Sequence, residues 1–230
     1  MEEHFSIEQK SIVGQHAAIR EVNTSDPDEI RRLMEIDRSP GHIKWFNSRP
    51  EDFTSMNETE MRDFVADPNH HLYIVSGSSL HNEIRKRSEV GRLQGWVKVN
   101  PDDDKRVEEL RNQKIIPQNK LPVFEISYAK HPDAPSGQMA SGVRQVCIEG
   151  VKLNLVLDPE SNRPYMSIVA YVIDDERGTN KESIQVLEAS GFEEKRKVIY
   201  DEAASRPDRV FVLNWEKLDE KLKSKLKLGE

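Results

Sequence analysis

Residues 121–157 constrain the chain more than any other stretch. They open with LPVFEISYAK, in which Val123, Glu125, Ser127 and Ala129 alternate with Phe124, Ile126 and Tyr128, the period of a strand. A short turn, HPDAPSG, follows. The run QMASGVRQVCIEGVKLNLVL then places Met139, Val143, Val146, Cys147 and Val151 at helical spacing. The order is therefore strand, small-residue turn, helix N-terminus. Unpaired N–H groups and the positive end of the dipole make such a helix start a seat for a phosphate. Small residues (Ala134, Ser136, Gly137, Ala140, Ser141, Gly142) would let an anion approach the backbone closely.

A chain of 230 residues fits one domain with embellishments. A net charge of −7 lowers the expectation of nucleic-acid binding, which asks for a basic face. The single cysteine, Cys147, lies on the apolar face of the expected helix and cannot form an internal disulfide. The N-terminus lacks the basic and apolar regions of a signal peptide, and no apolar run reaches about 20 residues, the length needed to span a bilayer. These features predict a cytoplasmic protein without membrane partners. His70 and His71 alternate across a strand, no cysteine pair occurs, and no metal is expected.

Taken in order, residues 1–15 read as a polar leader and HAAIREV as a first strand. Ser25-Asp26-Pro27-Asp28-Glu29 starts a helix, which Ser39-Pro40-Gly41 is expected to end. Residues 42–57 carry Trp45, Phe46 and Phe53 without clean periodicity and read as an aromatic connection. A second helix is expected over 57–66, then strands over 71–76 and 89–99 joined by a hairpin loop. Gly91 and Gly95 suggest a bulge or a close backbone approach in the second of these strands. Residues 100–120 read as a charged surface insertion with a short helix in its middle. YMSIVAYVI is the most apolar strand; KESIQVLEAS reads as a helix closed by Gly191; two antiparallel strands end the domain near residue 214. Residues 215–230 read as an amphipathic tail. No solenoid-length repeat or domain-dividing linker occurs. The element order describes a mixed α/β domain over 16–214 rather than a doubly wound one.

This order resembles the GNAT superfamily of acyl-CoA-dependent N-acetyltransferases. The ribosomal-protein N-terminal acetyltransferase-like branch reads N-x-x-S-I-x-x-L-E-x-x-G-F in the helix after its fifth strand. Asn180, Ser183, Ile184, Leu187, Glu188, Gly191 and Phe192 all fit. The family's pyrophosphate loop, Q/R-x-x-G-x-G/A, falls on Pro135, Ser136, Gly137, Gln138, Met139 and Ala140, where only Ala140 conforms. The resemblance implies a mostly antiparallel mixed sheet of about seven strands, flanked by helices and splayed between strands 4 and 5. It implies acetyl-CoA as cosubstrate. The cofactor-binding residues would be Ile126, Ser127 and Tyr128 on the strand, Ser136, Gly137, Gln138, Met139, Ala140, Ser141 and Gly142 at the turn, and Asn180 and Ser183 at the later helix. The acceptor would be an amine-bearing small molecule or a protein N-terminus, and a homodimer is compatible with the pattern.

Transfer of an acyl group to an amine needs a proton acceptor, donors for the thioester oxygen and an acid for the thiolate. Glu125 stands in an apolar strand, where burial would raise its pKa toward a useful value, and is the first candidate for base. A structural strand carboxylate is the alternative. Leu187 stands where the family often has its acidic Tyr, so Ser183, Tyr128 or water would protonate the thiolate. The competing functional class is a GNAT-shaped binding module without catalysis, which the departed pyrophosphate loop favours.

Overall fold

The computed structural model describes residues 12–13, 17–46, 54–67, 71–77, 92–118, 122–134, 138–152, 167–175, 178–199 and 207–214. Most of the expected leader, the expected hairpin loop after Gly77, Pro135, Ser136 and Gly137 of the turn, and the expected tail lie outside these residues.

The strands are β1 (Ile12–Val13), β2 (Ala17–Glu21), β3 (His71–Gly77), β4 (Leu93–Pro101), β5 (Val123–Lys130), β6 (Ser167–Asp175), β7 (Gly178–Thr179), β8 (Phe192–Ile199) and β9 (Pro207–Leu213). They form one sheet in the order β1-β2-β3-β4-β5-β6-β9-β8, with the short β7 paired to β6. Leaving aside the two-residue β1 and β7, seven strands carry the sheet among the described residues, in line with the about seven that the resemblance implies. All neighbours are antiparallel except β5 and β6. The helices are α1 (Pro27–Asp37), α2 (Pro40–Phe46), α3 (Glu58–Ala66), α4 (Asp104–Asn112), α5 (Gln138–Lys152) and α6 (Lys181–Ser190).

Local chemistry accounts for the helix starts. Asp26 caps α1 by accepting from Asp28 N, with Pro27 in the first turn. Asn57 and Glu60 form a reciprocal capping box on α3. Gly191 ends α6 at φ 100°, a conformation that glycine adopts without a Cβ penalty. One expectation needs correcting. Pro40 stops α1, but it also opens α2, because its fixed φ suits a first helical turn and the Ser39 hydroxyl accepts from His42 N at 3.3 Å. Part of the connection read as irregular is therefore helix, and it carries Trp45.

Alternation along the strands divides the core between the two faces of the sheet. On one face α5 and α6 pack over Val75, Val97, Val99, Phe124, Ile126, Ile168, Ala170 and Phe211. Met139, Val143, Val146 and Cys147 of α5 are all buried there, each large apolar side chain contributing about 1.5–3 kcal/mol. Burial also pushes the Cys147 thiol up to about 12, so it stays protonated and inert. On the other face α1 and α3 cover Leu72, Ile74, Leu93, Trp96 and Ala129. The segment read as a charged surface insertion covers the rest of that face. Val107 and Leu110 of α4, with Ile116, pack on Val123, Val169 and Val210.

Gly95 satisfies both readings of its role. The register of β3 on β4 slips between Val75/Gly95 and Ser76/Leu93, leaving Gln94 as a bulge. A Cβ at Gly95 would lie 2.5 Å from Ala129 O and 2.6 Å from Met139 Sδ, so β5 and α5 both close onto this bare position.

Candidate active site

The two neighbours of β5 treat it differently. Against β4 it is paired continuously, from Gly95 opposite Lys130 to Pro101 opposite Phe124. Against β6 the parallel register covers only Val123–Ser167, Phe124–Ile168 and Glu125–Val169. Beyond Glu125 the strands diverge, and the edge of Ile126, Ser127 and Tyr128 turned toward β6 has no strand partner among the described residues.

A cavity of about 110 Å3 fills this divergence. Its lining comes from both faces of the sheet. Ile126, Tyr128, Ala170 and Val172 contribute from the α5/α6 side, with Asn180, Ser183 and Leu187 of α6. Ser127, Tyr171, Ile173 and Asp208 contribute from the opposite side, with Trp45 of α2 and Arg106 of α4. The cavity at the splay is thus walled from both faces of the sheet.

On the α6 side, Asn180 Oδ1 accepts from Ser183 N at 3.1 Å, which caps the helix and holds the Asn side chain at the cavity wall. The Tyr128 hydroxyl donates to Ser183 O at 2.8 Å and ties β5 to α6 across the divergence. Burial pushes its pKa well above that of an ordinary tyrosine.

On the other side, Asp103 caps α4 by accepting from Lys105 N and Arg106 N, which aims Arg106 back over the sheet. Arg106 Nη1 lies 3.6 Å from Glu125 Oε2, and its guanidinium carbon lies 5.0 Å from the centre of the Tyr171 ring. The Tyr171 hydroxyl donates to Asp102 Oδ2, and Asp103 N donates to Asp102 Oδ1 at 2.8 Å. Burial raises the pKa of Glu125, an effect that the neighbouring Arg106 opposes; burial raises Asp102 likewise, against the Tyr171 hydrogen bond. Desolvation lowers Lys98, which sits over the Phe64 ring at 5.5 Å.

Of the residues singled out in the sequence, Ile126, Ser127, Tyr128, Asn180 and Ser183 meet at this cavity. Glu125 lies at the closed end of the splay, paired opposite Val169, with Arg106 beside it. The described turn residues, from Gln138 to Gly142, sit elsewhere. Met139 is buried against Gly95, and a Cβ on Gly142 would lie 2.5 Å from Val75 Cγ2, so this glycine serves close packing of α5 on β3. Gln138, Ala140 and Ser141 are buried in the first turn of α5, where Ala140 O accepts from the Ser190 hydroxyl at 3.0 Å. What α5 can present to a ligand is the backbone N–H groups of that turn. Sequence reading missed Arg106, Tyr171 and Asp208. Asp208 is a buried carboxylate on β9, and only its neighbours in space mark it.

No protein-family model matches the chain, and no curated protein does. Solved structures do match in shape. An acetyltransferase of the GNAT family from Bacillus anthracis aligns with 90% of this chain and 99% of its own, at 14% identity and a TM-score of 0.56. Aminoglycoside acetyltransferase AAC(6')-Ib, in complex with coenzyme A and kanamycin, aligns with 89% of this chain and 98% of its own, at 16% identity and a TM-score of 0.55. Arabidopsis thaliana NAA60, in complex with a bisubstrate analogue, aligns with 86% of this chain and 98% of its own, at 15% identity and a TM-score of 0.50. The chain has the GNAT fold. The divergence of β5 and β6 is thus the splay between the fourth and fifth of the seven longer strands that the sequence resemblance predicts. Among the described residues, no helix is long and apolar enough to cross a membrane, and no group of three His, Cys, Asp or Glu is placed to hold a metal ion.

Proposed function

We propose that this protein transfers an acetyl or other acyl group from coenzyme A to a primary amine by direct attack. The observation that carries the reading is the cavity at the divergence of β5 and β6, walled by strand residues and α6 on one face and by aromatic and charged side chains on the other. Two substrates entering from opposite faces would meet at Ile126–Tyr128. The likeness in shape to an acetyltransferase solved with coenzyme A supports coenzyme A as the acyl donor.

In this reading the cosubstrate's arm lies along the open edge of β5, beside Asn180 and Ser183, with its pyrophosphate at the first turn of α5. Backbone N–H groups at Ser127 and Tyr128 would polarise the thioester carbonyl. The amine nitrogen attacks that carbon; the C–N bond forms, the C–S bond breaks, and the thiolate leaves and takes up a proton. Glu125 would accept the proton released by the ammonium, directly or through water, once Arg106 has turned aside. Ser183 or water is better placed than Tyr128 to protonate the thiolate, since the Tyr128 hydroxyl is engaged with Ser183 O.

A binding module without catalysis is the second reading. It is favoured by Gly142 and Met139 being used in packing, and by the Tyr128 bridge across the splay. Calorimetric titration with acetyl-CoA and with free CoA separates the two. Micromolar binding is expected for acyl transfer, followed by turnover on an amine panel. No binding at millimolar ligand would overturn it.

A further inference from the structure

The wall of the cavity away from α6 already holds a cation of its own. Arg106 reaches over from α4, lies against the Tyr171 ring and approaches Glu125, and it lines the same cavity as Trp45 and Asp208. Asp102 fixes the ring that carries it, through the Tyr171 hydroxyl. The Tyr171 ring and the carboxylates of Glu125, Asp102 and Asp208 about one guanidinium form surroundings suited to an organic cation. The Arg106 side chain is 36% exposed, so it has solvent to move into on a long, flexible stem. In the acyl-transfer reading, the acceptor approaches from this side.

We propose that Arg106 is a displaceable internal cation that sets the acceptor class: a diamine or polyamine, whose nitrogens take over the guanidinium's place between Glu125, Asp208 and the Tyr171 ring. This rests on the acyl-transfer reading and deepens it. Asp102 is engaged by the Tyr171 hydroxyl, and the other two carboxylates, Glu125 and Asp208, match two nitrogens. Glu125 takes the proton of the reacting amine, and Asp208, 95% buried, holds the second ammonium. An acceptor with a carboxylate near its amine meets Asp208 and Asp102 instead and is repelled. Arg106 is thus a specificity-determining residue, supplied by a segment that reads in sequence as a surface insertion.

The test is calorimetric titration of 1,4-diaminobutane, n-butylamine and 4-aminobutyrate into the wild-type chain and the Arg106→Ala, Arg106→Gln and Asp208→Asn variants, each with and without CoA. Melting temperatures are recorded first, and Arg106→Gln carries the test if the alanine variant does not fold. The diamine is expected to bind the wild type at least tenfold more tightly than butylamine, and about tenfold more tightly again once Arg106 is removed. Asp208→Asn is expected to erase the preference for the diamine. Weaker diamine binding in both Arg106 variants overturns the proposal. So does 4-aminobutyrate emerging as the preferred ligand of the wild type, or diamine binding to no variant with or without CoA. Failure of the acyl-transfer reading shows separately, as absent CoA binding, because the amine titrations without CoA do not depend on it.

Discussion

One strand, β5, has two unlike edges. Toward β4 its backbone is paired from Phe124 to Lys130; toward β6 it is paired at Val123, Phe124 and Glu125 only. The same residues present both edges, so residue type alone does not explain the difference. The β4 edge is held by matched register and by a notch at Gly95 that lets β5 and α5 close in. Along the open stretch of the β6 edge, Tyr128 and Tyr171 line the cavity from opposite faces, and α6 stands across the gap, joined to β5 by the Tyr128 hydroxyl. A continuous ladder satisfies backbone groups and leaves them unavailable. An interrupted one leaves them for a ligand, and the rest of the domain must then compensate in stability.

The largest expected effect breaks the closed edge. Gly95→Val forces a side chain into Ala129 O and Met139 Sδ and should lower unfolding free energy by about 3 kcal/mol, read by urea denaturation, with ligand binding falling as the folded population falls. A melting curve like that of the wild type would mean that β4 and β5 are not held by this contact. At the open edge, Glu125→Gln should leave the melting point within a few degrees and lower turnover about 100-fold. Unchanged turnover removes Glu125 as base. The pH dependence sharpens this. The base works ionised, and burial raises its pKa, so kcat/KM should rise through a limb above the ordinary carboxylate range. Arg106→Gln removes the opposing positive charge and should move that limb higher still.

Tyr128→Phe removes the bridge to Ser183 O and should cost about 1 kcal/mol while lowering turnover less than tenfold. A larger loss of turnover would restore Tyr128 as proton donor. The smallest effect belongs to Glu35, whose carboxylate accepts from His131 Nε2 at 2.8 Å and is held below its usual range by that hydrogen bond. A lowered carboxylate pKa stabilises above the unfolded value and is lost as pH falls through the folded one. Glu35→Gln should therefore cost less than about 1 kcal/mol at neutral pH and nothing in strong acid, since the carboxylate is half exposed. Equal destabilisation at both pH values would refute the linkage.

Local signals were legible in the sequence because their physics is local. Asp26-Pro27 and Asn57-x-x-Glu60 announce helix starts, and Gly191 announces a helix end, from side chains within one turn of the backbone groups they serve. The α2 helix was obscured because Pro40 both ends one helix and begins the next. Long-range arrangements were not legible. Val107 and Leu110 sit in a run so charged that their packing on Val123 is invisible until the sheet is formed. Asp208 and Arg106, a hundred positions apart in the chain, line one cavity only because β9 pairs with β6 and α4 folds over the same face. Met139, which the pyrophosphate-loop resemblance includes, and Gly142, singled out for its small size, both lie on the side of α5 that the sheet covers, a side that only the assembled sheet defines.

The three-pair seam between β5 and β6 also bears on how the chain folds. Each of β6, β8 and β9 finds most of its partners within residues 167–214, so that part of the sheet can assemble from contacts short in sequence. The seam instead waits for the whole crossover through α5 to be laid down, and it gains little from its own ladder. Conservative truncations at Val210 or Phe211 should therefore slow refolding, while truncation at Val123 should mainly hasten unfolding, a division that chevron kinetics would display. The opening that admits a ligand would then be the last joint of the sheet to close and the first to part.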